Sequence, residues 1–284
     1  GHPVIPMDAG PVFEAGEPVV VEAIHGTTAD VEQFDRTKAN IESDLGASFY
    51  FSNTPDEIGA NYAGLGPDLT NKIERLTEQL EQNLEDDPAM IDMSPEQIRE
   101  EAARRAREQF IANQGVSMPV FVRFDNPAVL GGNRETFLNY DEAYDEATDE
   151  YGEPTGALVD LMEAIREVDQ SGDFEMDADT AIGALQEAAM DSGGMTAAEA
   201  IEALKKALVY AVDYNSGDSA TNEIVRQAFE LAGFDGFIDQ TVDKKFGSQR
   251  RQGKQMQGMN PDTVHFVAFS PRQIASRIGS TWDR

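Results

Sequence analysis

Short runs of apolar and β-branched residues, separated by long amphipathic or polar stretches, divide the chain. VVVEAI at 19–24 leads directly into His25-Gly26-Thr27-Thr28, which predicts a strand that delivers a histidine to a turn. SFYFS at 48–52 is followed by Thr54-Pro55, so a second strand is expected to lead into a helix. Further strands are predicted at 118–124, 233–239 and 264–269.

Two long stretches between these strands have the spacing of amphipathic helices. The first runs from 68 to 113, where apolar residues recur at intervals of three and four positions: Ile73, Leu76, Leu80 and Leu84. Ser94-Pro95 is typical of a helix start, so we expect two helices that are separated near residues 86–92. The second stretch, from about 137 to 230, is predicted to be helical and acidic.

This order of elements favours an α+β fold over a doubly wound α/β sheet, because helices and strands occur in separate blocks. We predict a single domain over 1–284. Its core strands are expected in about 17–65, 116–132 and 231–280, with helical insertions at about 68–113 and 137–230. A polar loop over about 240–262 is predicted between the last two strands, and loops of that length are usually functional or mobile.

Composition narrows the classes of function. The chain has 53 acidic and 22 basic residues and a net charge of −31, which argues against a role in coating nucleic acid because phosphates would be repelled. The absence of cysteine excludes disulfides, thiolate metal sites and a cysteine nucleophile. No apolar stretch approaches the roughly 20 residues of a membrane helix, and the first residues lack a secretory pattern. We therefore expect a soluble cytoplasmic protein with no membrane partner.

Apart from His2, the histidines are His25 and His265, and each lies at the end of a predicted strand. Two imidazoles cannot build a three-histidine metal site. The segment 169–180 spaces its acids somewhat like a calcium loop, but it lacks the glycine and the closing glutamate of such loops, so no metal is predicted. A histidine at a strand end is more often structural than functional, and both interpretations stay open at this point.

The predicted loop at 240–262 concentrates positive charge in an otherwise acidic chain. Its cations are Lys244, Lys245, Arg250, Arg251 and Lys254. They indicate either an anionic partner, such as nucleic acid, an acidic protein face or a pyrophosphate, or a solvated loop with no partner.

Four segments together resemble a known family. HGTT at 25–28, GASFYFSNTPDEIGANYAG at 46–64, MPVFVRFDNP at 118–127, and the tail GFDGFID followed by TVHFVAFSPRQIASRIG are similar to motifs of ADP-ribosyltransferases of the His-Tyr class. This class includes diphtheria toxin and the poly(ADP-ribose) polymerases, and the tail is most like the ADP-ribosyltransferase domains of phage polyvalent proteins. The segments cover about a third of the chain, in the expected order. The resemblance implies a split β-sheet core that binds NAD as a substrate.

The resemblance also implies roles for individual residues. His25 would hydrogen-bond a hydroxyl of the nicotinamide ribose, and Gly26 would let its backbone approach the carboxamide. Tyr50 and Tyr62 would pack on the two faces of the nicotinamide, and Thr27 and Ser52 complete the expected cofactor-binding set. The alternative is that these aromatics belong to the core. Alternation along the strand points Tyr50 away from Phe49 and Phe51, so only one side of that strand need be core.

One position departs from the family pattern. Active members usually carry a glutamate at the start of the last core strand, where this chain has His265, and the nearest acid in sequence is Asp262. We expect His25, Tyr50 and His265 as the catalytic residues.

The resemblance favours a mono-ADP-ribosyltransferase that modifies a macromolecular acceptor contacted by the 240–262 loop, encoded by a phage and acting in host cytoplasm or within a virion. Two alternatives remain: a catalytically weak or silent NAD-binding module, and a virion structural or interaction protein.

Overall fold

The structure, a computed structural model, describes the following residues: 2–27, 33–39, 41, 43–61, 67–85, 87, 90, 93–111, 116–141, 144–145, 150–151, 153–190, 192–251 and 258–277. Three residues named above, Thr28, Tyr62 and Lys254, lie outside this part of the chain, as do the side chains of Arg250 and Arg251.

Strands and helices alternate irregularly along the chain. The strands are β1 (Val4–Ile5), β2 (Val19–Thr27), β3 (Phe49–Ser52), β4 (Val116–Phe124), β5 (Pro127–Leu130), β6 (Phe137–Asn139), β7 (Tyr144–Asp145), β8 (Glu150–Tyr151), β9 (Phe174–Glu175), β10 (Gly194–Thr196), β11 (Val212–Asp213), β12 (Gly236–Asp239), β13 (His265–Ala268) and β14 (Ile274–Ser276). The helices are α1 (Pro55–Asn61), α2 (Pro67–Glu85), α3 (Pro95–Ile111), α4 (Ala157–Ser171), α5 (Ala178–Ala189), α6 (Ala197–Ala207), α7 (Thr221–Leu231) and α8 (Val242–Arg251). Within the described ranges, no helix is both long and apolar enough to cross a membrane.

A mixed sheet of eight strands organises the fold, in the order β14-β4-β2-β3-β13-β12-β5, with β1 added alongside β2. β2 pairs with β4 over its whole length, from Val19 to Thr27, whereas β2 and β3 share the single register pair Ile24 with Ser52. The sheet therefore consists of two well-paired halves that meet at a seam between β2 and β3.

The two faces of the sheet belong to different apolar clusters because side chains alternate along each strand. On β3, Phe49 and Phe51 join one apolar cluster, which is built from both halves of the sheet. Tyr50 packs against the other cluster, on the opposite face of the sheet. That other cluster contains the buried sides of α4, α5, α6 and α7, and Phe229 of α7 contacts Phe237 of β12 with ring centroids 5.0 Å apart. The helical stretch at 137–230, predicted as an insertion, thus shares its core with the sheet.

The α2–α3 pair is different. Three of its buried residues, Leu84, Ile98 and Ala102, form a separate small cluster with Leu80 and two methionines. Ion pairs on the exposed side of α3, such as Arg104 with Glu101 at 2.6 Å, add little stability because solvent screens them.

Two predictions about element type were wrong in detail. The stretch 137–230 holds short strands, β6 to β11, as well as helices. These strands were not predicted because strands of two or three residues leave no periodic pattern in the sequence. The predicted loop after β12 begins with α8, whose apolar residues are few: Val242 is buried and Phe246 is half-buried. A polar helix with so short an apolar stripe resembles a loop in sequence.

Candidate functional site

One end of the sheet carries a row of residues that face each other in register. Ile24 pairs with Ser52, Ser52 with His265, His265 with Asp239, and Asp239 with Leu130. Neighbouring strands lie about 4.8 Å apart, so the distance across the row from β2 to β13 is roughly 10 Å. His25 follows Ile24 directly, and the structure thus gathers His25, Ser52 and His265, which are distant in sequence, at one end of the sheet.

His25 is held at the seam by β3. Its Nδ1 lies 2.8 Å from the main-chain oxygen of Tyr50, and because a carbonyl only accepts, Nδ1 must carry the proton of this hydrogen bond. The half-buried ring packs edge-on against Phe34 and at a tilt against Phe51, with centroids 5.0 and 5.5 Å apart. In the neutral ring this tautomer leaves Nε2 as the hydrogen-bond acceptor.

Gly26 and Thr27 continue β2 beyond His25. They pair with Ser117 and Val116 of β4, and Gly26 is half-buried while Thr27 is buried. On the other side, residues 25–27 run alongside 49–51 without a register pair to them. The HGT and FYF segments therefore face each other across a part of the seam that has no β-ladder.

Tyr50 is fixed in place by its hydroxyl. The phenol oxygen accepts from the Leu45 amide at 2.8 Å and donates to the Gly46 carbonyl at 3.2 Å. Burial raises the pKa of the phenol well above its usual value, so Tyr50 stays neutral. Its ring is half-buried and its orientation is set by the loop before β3.

That loop is in turn fastened to α7. The Ala47 amide donates to Glu223 at 2.7 Å, and Glu223 pairs with the buried Arg226 at 2.6 Å. Burial raises the pKa of Glu223 above its usual value. Gly46 has φ 71°, and a Cβ there would lie 2.7 Å from the Glu223 carboxylate, so both conformation and space require glycine.

His265 contacts an acid that the sequence did not single out. Its Nε2 lies 2.6 Å from Oε1 of Glu57, on α1, and Ser52 donates its hydroxyl to Oε2 of the same carboxylate at 2.5 Å. Glu57 is fully buried. Glu57 follows Thr54 by three residues, a spacing typical of a helix-capping glutamate, so the local sequence does not distinguish it from a structural residue.

The turn between β3 and α1 is tied to the start of β13. Asn53 accepts from the Val264 amide at 2.8 Å, and the hydroxyls of Thr54 and Thr263 lie 2.9 Å apart. These contacts set the position of α1, and hence of Glu57, relative to His265. Asp262, which we had considered as the nearest acid, is exposed, and its main-chain oxygen accepts from Asn53 at 2.9 Å.

Positive charge near the row is partly committed to internal pairs. Lys245 contacts the buried Asp239 at 2.6 Å, and Lys205 contacts Asp44 at 2.7 Å. Burial opposes ionisation of Asp44, but the charge and hydrogen bond of Lys205, together with the charge of Lys245, outweigh it and hold the Asp44 pKa below its usual value. Of the cations predicted to meet an anionic partner, Lys245 thus has an internal partner, while Lys244 is exposed.

The described residues contain no group of three or more histidine, cysteine, aspartate or glutamate side chains suited to hold a metal ion. No protein-family model, no curated protein and no solved structure matches the chain.

Proposed function

We propose that this protein is an NAD-dependent ADP-ribosyltransferase that transfers a single ADP-ribose to a macromolecular acceptor. The observation that carries the proposal is the seam, where HGT and FYF face each other without a β-ladder while His25 is hydrogen-bonded across it to Tyr50. Four residues that the family resemblance singles out, His25, Gly26, Thr27 and Tyr50, thus lie along one seam between two halves of the sheet, although the resemblance uses no information about strand pairing.

The residues at the seam suit the substrate in three ways. His25, whose Nδ1 proton is bound by the Tyr50 carbonyl, has an oriented polar ring at the seam that suits a hydrogen bond to a ribose hydroxyl. Gly26 has no side chain to obstruct the approach of a planar carboxamide to the main chain. Tyr50 offers the face of a neutral, oriented ring, because its hydroxyl is occupied by the loop at Leu45 and Gly46.

NAD supplies a nicotinamide–ribose bond whose cleavage develops positive charge on the ribose. The chain must therefore hold the ribose, keep the nicotinamide in one orientation and place negative charge or a base nearby. In this proposal His25 holds the ribose and Tyr50 orients the nicotinamide. The negative charge or base is provided by residues around His265.

A thermal-shift titration with NAD, followed by incubation with labelled NAD and a host lysate, tests the function. A ligand at a hundred times its dissociation constant stabilises the folded state by about 2.7 kcal/mol, so binding should raise the melting temperature measurably. We expect this shift together with label on a macromolecule. A shift without label or nicotinamide release would indicate a silent NAD-binding module.

A role as an interaction protein is the second candidate, because large apolar side chains are exposed around the α6–α7 connection. Val209, Tyr210 and Tyr214 are 57%, 90% and 66% exposed. Exposed aromatics of this kind are enriched in protein interfaces. This function predicts no response to NAD, so the same titration separates it from the first.

A further inference from the structure

The Glu57 side chain is fully buried, which is unusual for a carboxylate. A buried carboxylate is costly unless hydrogen bonds compensate it. Here each oxygen has one partner of its own, Ser52 on Oε2 and His265 on Oε1. The arrangement is the kind that holds an ionised acid against an imidazole.

His265 is bound differently from His25. With the Glu57 carboxylate ionised, the hydrogen between the two groups belongs to Nε2, and Nδ1 is then the acceptor atom of the neutral ring. The His265 side chain is 16% exposed, while Glu57 is not exposed at all. Any contact with a substrate at this point is therefore made by the imidazole and not by the acid.

We infer that Glu57 and His265 form a base couple in which His265 deprotonates the acceptor and Glu57 is the positioning residue; this role rests on the proposed transferase function. The acceptor atom forms a bond to C1′ of the ribose as the bond to nicotinamide breaks, and nicotinamide leaves with the electron pair as a neutral molecule. The proton of the acceptor moves to Nδ1 of His265. The Glu57 carboxylate stabilises the imidazolium so formed.

Two other acids near this end of the sheet, Asp239 and Asp44, have different partners. Asp239 accepts from the Thr241 amide at 2.7 Å and pairs with Lys245, and Asp44 pairs with Lys205. Among the described contacts, Glu57 is the acid hydrogen-bonded to His265. The couple thus replaces, by a residue from α1, the carboxylate that the family pattern has on the last core strand.

The couple also defines the class of acceptor. A base is useful only where the attacking atom carries a proton that must leave, as in a hydroxyl, an amide or water. A carboxylate acceptor is already ionised and gains nothing from a base. The acceptor of this protein should therefore attack through a protonated oxygen or nitrogen.

Three variants test the couple. Glu57→Gln keeps an acceptor for the Nε2 hydrogen but removes the charge, and Glu57→Met removes both. Asp235→Asn is the matched control, because Asp235 is a carboxylate that binds the amides of Asp125 and Asn126, at 2.6 and 3.1 Å, before the opposite end of β12. Nicotinamide release is measured for kcat and KM, and long-range proton–nitrogen spectra report the ring tautomers without NAD.

We expect Glu57→Gln to lower kcat by at least about tenfold with little change in the KM for NAD, and Asp235→Asn to leave both unchanged. The parent and Glu57→Gln should show His265 protonated on Nε2, and Glu57→Met should lose this preference. The chain has only three histidines, so the ring signals can be assigned by substitution.

The outcomes separate the two proposals. An active parent whose kcat is unaffected by Glu57→Gln, or whose His265 carries its proton on Nδ1, overturns the couple and leaves the transferase intact. A parent that neither binds NAD nor releases nicotinamide overturns the transferase, and the catalytic role of the couple with it. The tautomer measurement would then still show whether the contact exists in solution.

Discussion

The end of β2 and the start of β13 each carry a half-buried histidine at the same level of the sheet, but the partners of the two rings differ. His25 donates Nδ1–H to a neutral carbonyl and packs between phenylalanines. His265 has its Nε2 2.6 Å from the buried carboxylate of Glu57. A neutral partner fixes which ring nitrogen accepts, whereas a charged partner also stabilises the protonated ring.

Under the proposed function, His25 would bind the ribose and His265 would accept the proton of the acceptor. The two rings also lie towards opposite faces of the sheet. His25 contacts Phe51, while His265 pairs with Ser52, the next residue of β3, and contacts Glu57 of α1. Substitutions at the two positions test whether the two histidines have these different roles.

The largest effect is expected from His265→Gln. Its amide can still donate to Glu57, so the buried acid keeps a partner, but the side chain cannot carry the acceptor's proton. Because general base catalysis contributes about 10² to 10⁴ in rate, kcat should fall about a hundredfold while the KM for NAD changes little. Nicotinamide release measures both constants. A variant that loses NAD affinity and keeps kcat would assign His265 to binding and contradict the difference in role between the two histidines.

His25→Ala should have the converse effect. A ribose contact is lost but little core volume, so NAD binding should weaken by more than tenfold, with only a small change in the melting temperature. Isothermal titration with NAD gives the affinity, and a thermal melt without NAD serves as the control. An unfolded variant, or one that binds NAD as the parent does, would contradict the ribose contact.

His265→Glu sharpens the role of the acid. On the sequence alone, a glutamate here restores the family pattern and should accelerate NAD hydrolysis. The structure changes this prediction, because Glu57 lies 2.6 Å from the His265 ring and two carboxylates so close cannot both ionise.

We therefore expect no acceleration from His265→Glu alone. The double variant with Glu57→Gln should hydrolyse NAD about tenfold faster than that single variant, since one carboxylate is then ionised freely. Equal rates for the single and double variants would show that the two side chains do not share one site.

The sequence predicted the elements that carry a periodic or β-branched pattern. The strands found as β2, β3, β4, β12 and β13 and the helices found as α2 and α3 were all expected. β5 was not predicted as a separate strand, because it has only four residues and begins with a proline; it is the edge strand of the sheet, where a missing amide hydrogen is tolerated. The identity of the sheet as an ADP-ribosyltransferase core stays a prediction.

The site was predictable only in part, for a related reason. His25, Tyr50, Ser52 and His265 belong to local motifs, and strand register brings them together. The partner of His265 comes from a helix, and its glutamate matches an ordinary capping pattern, so no local signal marks it. The Tyr50 hydroxyl likewise binds a loop whose position depends on α7, which lies far away in sequence.

The smallest effect is expected at Tyr50, where ring and hydroxyl should have separable roles. Tyr50→Phe keeps the ring that faces the nicotinamide but leaves the Leu45 amide without its 2.8 Å partner, so it should cost about 0.5–1.5 kcal/mol of stability and little NAD affinity. Tyr50→Ala removes the ring as well, and a stacking contact is worth about 0.5–1.5 kcal/mol, which corresponds to roughly two- to twelvefold in the dissociation constant. Urea unfolding and NAD titration of both variants measure the two quantities separately. Equal loss of NAD affinity in Phe and Ala variants would mean that the hydroxyl, and not the ring face, meets the nicotinamide, and the seam at Tyr50 would then bind its ligand through hydrogen bonds in the same way as His25.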